Sequence, residues 1–89
     1  MPKKTLHALV GSDRLRVENT WFSGATLFMN DQPIARNNGL FAASSQTPLM
    51  SAEATVNGSK SQIEVFVRAI FTVKIQIRLN GTIVEGEEL

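Results

Sequence analysis

His7 is the only histidine in the chain, and imidazole is the side chain most often recruited as a general base or zinc ligand near neutral pH. A nucleophilic site would need Ser12, Asp13, Ser44 or a distant carboxylate beside it, and none stands at a telling spacing. With no cysteine, neither a Cys-based zinc site nor a disulfide framework exists. His7 therefore reads as an ordinary N-terminal histidine. The acidic run Glu85-Gly86-Glu87-Glu88-Leu89 offers carboxylates to a cation, but it lacks the alternating acidic spacing and turn glycine of a calcium loop. It reads as a solubilising terminus. No catalytic, cofactor-binding or metal residue is assigned, no cofactor is expected, and the chain reads as a non-enzyme.

The basic residues Arg14, Arg16, Arg68, Lys74 and Arg78 would offer a stripe to phosphate or to an acidic partner. A solvated lattice, with Glu64 placed diagonally between Lys74 and Arg78 on a neighbouring strand, accounts for them. No aromatic is expected among these charges, whereas a single-stranded nucleic-acid platform requires stacking residues there. The formal net charge is only +1, far from the dense positive charge that counterion release rewards, so nucleic acid is not an expected partner. Asn57-Gly58-Ser59 and Asn80-Gly81-Thr82 match the N-glycosylation acceptor pattern, but Asn-Gly is also the sequence of a tight hairpin turn. More telling are Phe28, Phe66 and Ile70, on parities that otherwise read as exposed, with Phe22 and Phe41 near loops. Apolar side chains outside a core face mark a second buried face or an interaction surface. Phe28, Phe41, Phe66 and Ile70 are the candidate interaction surface.

The elements that must position these residues are strands. Leu15, Val17, Asn19 and Trp21 alternate with Arg14, Arg16, Glu18 and Thr20, the period of a half-buried strand. Ala25 to Met29 is a short run of β-formers, closed by the turn Asn30-Asp31-Gln32-Pro33, and Ile34-Ala35 resumes pairing. Arg36 to Pro48 is irregular. Met50, Ala52, Ala54 and Val56 share one face before Asn57-Gly58, and their small side chains leave room for a large partner such as Trp21.

Every odd position from Ile63 to Leu79 is apolar. Seventeen residues at about 3.3 Å each would reach about 56 Å, while a domain of this length has a radius of gyration of about 12 Å. The stretch must therefore fold back. A hairpin centred on Ile70 is expected, pairing Val67 with Val73, Val65 with Ile75 and Ile63 with Ile77; the alternative is one bulged, bent strand. Asn80-Gly81 turns into a last strand, Thr82-Ile83-Val84. The reading is an all-β single domain, an antiparallel sandwich or small barrel of six or seven short strands, with residues 1–12 a partly ordered arm, 13–84 the β core and 85–89 the tail. No internal repeat is expected.

The segment from Ser61 to Thr82, alternating strands that end in Asn-Gly, resembles the closing strands of the Fas apoptotic inhibitory molecule family, and Gly24 to Asp31 is similar to that family's strand-and-turn segment. The resemblance implies a compact antiparallel sandwich and no particular activity.

The N-terminal apolar patch is only about five residues long, short of the roughly 7–15 that a signal peptide needs, and no run approaches the roughly 20 of a membrane span. A cytoplasmic location is expected. The functional expectation is a small non-enzymatic protein-interaction module with a protein partner. The alternatives are a small-molecule binder or enzyme with a pocket under the 36–48 loop, where Phe41 would meet Asn19, Arg36 or Glu53, and a self-associating structural subunit.

Overall fold

The computed structural model describes residues 3–20, 24–37, 48–69 and 73–86. They form β1 (Lys3–Val10), β2 (Asp13–Thr20), β3 (Gly24–Met29), β4 (Gln32–Asn37), β5 (Met50–Val56), β6 (Ser59–Ala69), β7 (Val73–Leu79) and β8 (Thr82–Gly86). Two four-stranded antiparallel sheets result, β1-β2-β3-β4 and β5-β6-β7-β8. The class is all-β as read, but the described strands number eight rather than six or seven. The added strand is Lys3–Val10: it shows no clean alternation, yet it pairs with β2 along its whole length. Among the described residues no helix is long and apolar enough to cross a membrane.

Two-residue turns join the strands at Gly11-Ser12, Asn30-Asp31, Asn57-Gly58 and Asn80-Gly81. In the last three both residues hold positive φ, between 51° and 84°. That geometry matches the right-handed twist of paired strands and selects Asn, Asp and Gly. The strands alternate in direction, which brings these four turns to one end of the molecule.

The alternating apolar positions point inward. Leu15, Val17, Ala25 and Leu27 of the first sheet form one buried cluster with Ile63, Val65, Val67, Ile75 and Ile77 of the second. The sheets thus share a single core, with β1 beside β8 and β4 beside β5, and the radius of gyration is 12.0 Å.

The long stretch does reverse, pairing β6 with β7, but in another register. Val67 pairs with Ile75, Val65 with Ile77 and Ile63 with Leu79, a register displaced by two residues from the expected one. Shifting the pairing by an even number of residues leaves every side chain on its original face, so the core face follows the sequence pattern although the register does not. The shift also places Glu64 directly opposite Arg78, and Arg68 opposite Lys74, instead of Glu64 on a diagonal.

The two sheets repeat each other. Shifted by fifty residues, the β3–β4 turn Asn30-Asp31 falls on the β7–β8 turn Asn80-Gly81, and the register break between Leu27 and Phe28 falls on that between Ile77 and Arg78. In the first sheet the Asn30 N–H donates to the Arg14 carbonyl at 2.8 Å and the Arg14 N–H donates to Asn30 Oδ1 at 2.9 Å. In the second, the Asn80 N–H donates to the Gln62 carbonyl and the Gln62 N–H to Asn80 Oδ1, both at 2.9 Å. Each turn asparagine extends the ladder to the neighbouring hairpin with its own side chain. This repeat is absent from the sequence reading because Asn30 and Asn80 are the one identical pair between Gly24–Arg36 and Lys74–Gly86.

Candidate functional site

On β7, Gln76 and Arg78 are two residues apart and so lie on the same, outer face. Phe66 on β6 sits opposite Gln76 and diagonal to Arg78, within reach of a long side chain. The Arg78 guanidinium lies over the Phe66 ring, 4.0 Å from its centroid, a cation–π geometry. Its Nε donates to Gln76 Oε1 at 2.7 Å. Phe66 is 4% exposed and Gln76 3%, so this outward-facing pair is buried. Arg78 is half-buried. Gly86, opposite Gln76 on β8, holds φ at +126°. A Cβ there would strike the Ile75 carbonyl oxygen and lie 2.6 Å from Gln76 Cα, so glycine lets β8 close down beside the pair. Ile83, opposite Arg78 on β8, is 54% exposed.

The first sheet carries a related pair with the strands exchanged. Arg16 on β2 stacks over Phe28 on β3, 4.2 Å from the centroid. Here carboxylates occupy the guanidinium: Arg16 Nη1 reaches Asp31 Oδ1 at 2.8 Å and Arg16 Nε lies 3.0 Å from Glu18 Oε2. The latter approach is an ion pair without hydrogen-bond alignment, since the buried Nε has no hydrogen-bond acceptor. Arg14 Nη2 adds a looser contact to Asp31 Oδ2 at 3.4 Å. Arg78 has no such acid partner among the described residues.

At the turn end Asp13 ties the sheets together. Its Oδ1 accepts from Asn30 Nδ2 at 3.0 Å and its Oδ2 from the Asn57 N–H at 2.6 Å. These hydrogen bonds, Asn30 first and Asn57 second, stabilise the charged form and hold the carboxyl below its ordinary value of 3.8.

The candidate residues separate accordingly. Phe66 is buried under Arg78, and Phe28 is half-buried under Arg16. Phe41 and Ile70 lie outside the described residues, as do Trp21 and most of the 36–48 loop. Of the polar side chains expected beneath that loop, Asn19 is buried, whereas Arg36 is exposed and Glu53 pairs on the outer face with Lys60 at 3.7 Å. The three are not brought together. His7 is exposed on β1, and no group of three metal-ligating side chains gathers among the described residues. The expectation that no aromatic mingles with the basic residues is corrected by Phe28 and Phe66. The pairings that hide them run between strands, so a linear spacing does not show them, although alternation alone puts Phe66, Arg68, Gln76 and Arg78 on one face. Comparison of the chain with protein families, with curated proteins and with solved structures gave no match.

Proposed function

We propose that the chain is a small non-enzymatic protein-binding module, its two sheets packed as a sandwich, which engages a partner through the outer face of the second sheet. The observation that carries the reading is Arg78, fixed over Phe66 beside the exposed Ile83. Arginine and aromatic anchors dominate protein interfaces because they combine a large contact area with directed polar groups. A guanidinium already held in place loses less conformational freedom when a partner arrives. An exposed isoleucine beside it supplies apolar area that water does not satisfy.

The test compares three immobilised proteins in an extract of the source cells: wild type, Ile83→Asp, and Arg14→Glu as a control on the first sheet. Species retained by wild type and Arg14→Glu but lost with Ile83→Asp are expected. Equal retention by all three refutes the assignment of the face. Sedimentation at high concentration checks the remaining candidate partner, a second copy of the chain; a dimer that Ile83→Asp dissolves would make this face a self-association surface.

A further inference from the structure

We infer that Arg78 is a docking point for a carboxylate side chain on an extended acidic segment of a protein partner. The inference rests on the use of the second sheet's outer face proposed above and names what that face recognises. One side of the guanidinium plane is taken by the Phe66 ring and Nε by Gln76. Among the described residues nothing occupies the two terminal nitrogens, and the half-buried side chain has its orientation already set. A planar fork held in that way matches the two oxygens of a carboxylate bidentately.

The first sheet shows the same group with its acids in place. Arg16, likewise stacked on phenylalanine, holds Asp31 from the adjacent turn and Glu18 from its own strand. In the repeat, Gly81 stands where Asp31 stands, and Phe66 where Glu18 stands. Among the described residues, the second sheet therefore keeps the stacked arginine and lacks both of its counter-ions. Glu64, directly across from Arg78, makes no ion pair with it, because the guanidinium leans away over the ring.

The surrounding charges favour a monoanion over a phosphate. Glu64 faces Arg78 from β6 and repels a dianion more strongly than a single carboxylate. Arg68 and Lys74, paired on the far side of Phe66, extend the basic character along the direction in which an extended peptide would run.

The experiment is an NMR titration of the ¹⁵N-labelled protein, following backbone amides and arginine Nε–H groups, with acetyl-Thr-Val-Glu-Val-Thr-amide and its Glu→Gln counterpart. Saturable shifts are expected at the Arg78 Nε–H and at the amides of Gln76, Arg78 and Ile83, with little change at Arg16. The glutamine peptide should bind about tenfold more weakly, the scale of a charge-assisted bidentate pair. Arg78→Lys should weaken the glutamate peptide by a similar factor, and Glu64→Gln should tighten it a few-fold by removing the opposing charge. A merely structural arginine would not produce that gain. Equal binding of the two peptides, or full competition by inorganic phosphate at the same concentration, overturns the carboxylate assignment while leaving shifts at Ile83 to uphold the face. Shifts confined to the first sheet overturn both.

Discussion

Replacing Asn19 with valine should stabilise the protein. Asn19 sits on the inward face of β2 at 1% exposure, and its Oδ1 is buried without a hydrogen-bond partner. Leaving a buried acceptor unpaired costs about 1–3 kcal/mol. Its counterpart in the repeat is Val67: Asn19 pairs with Ala25 as Val67 pairs with Ile75, and Val67 is fully buried. The second sheet thus shows that this position accepts a β-branched apolar residue of closely similar volume. Removing the orphaned acceptor and burying two methyl groups should together gain about 2 kcal/mol. For a domain of this size, roughly 4–8 °C per kcal/mol puts the rise in Tm at about 8–16 °C. Urea unfolding should show a higher midpoint with an unchanged slope, since the surface exposed on unfolding hardly changes. Asn19→Ala relieves the same acceptor but leaves a void, and should fall below the valine variant. An unchanged or lowered Tm for Asn19→Val would refute the reasoning and mean that the amide is satisfied in solution by a bound group.

Two further outcomes follow from the turn end and the site. The folded-state pKa of Asp13 lies below the ordinary 3.8, so its clasp of the Asn30 and Asn57 turns is fully present above about pH 4 and is lost as pH falls through the lowered folded value. Asp13→Asn should be the less stable protein at neutral pH and show a shallower loss on acidification. Circular dichroism melts across that acid range test this, and parallel curves for the two proteins would contradict it. Gly86→Ala should cost about 1–3 kcal/mol, because alanine disfavours φ of +126° and its Cβ would collide with the backbone at Ile75 and Gln76. It should also move the Arg78 Nε–H resonance, and a variant with wild-type Tm and spectrum would show that β8 does not brace the pair.

Local pattern carried most of the fold. Alternation fixed the faces of β2, β5, β6 and β7, and Asn-Asp or Asn-Gly fixed three of the turns, because side-chain parity and positive φ are properties of single strands and single residues. What resisted reading depends on pairing between strands. The β6–β7 register is displaced by two residues from the expected one, a difference invisible to parity. β1 reads in the sequence only as an arm that could hold a strand or a helical turn, because an edge strand with Thr5, His7 and Leu9 outward and Leu6, Ala8 and Val10 inward has apolar residues on both sides. Phe28 and Phe66 stand out in the sequence as misplaced apolar residues, and that signal is correct. Their covers, Arg16 and Arg78, lie on neighbouring strands, and only the register identifies them.

The two arginine–phenylalanine pairs solve one problem with different firmness. An aromatic ring on the outer face of a sheet is an aggregation hazard unless something covers it, and an arginine can do so while keeping its charge near water. In the first sheet the cover is held by Asp31 and Glu18. Asp31 sets a full opposite charge against the guanidinium at 2.8 Å, which a neutral amide does not. In the second sheet the cover is held by the neutral amide of Gln76 and by the ring itself. A carboxylate arriving at the terminal nitrogens adds a stronger contact without displacing the existing ones, so the bound state keeps the stack and gains the ion pair. The difference originates in Gly81 and Phe66, where the first sheet has Asp31 and Glu18. Gly81 suits the positive φ of its turn better than aspartate does, so the residue that eases the turn is also the one that sets no carboxylate beside Arg78 for the proposed partner to displace.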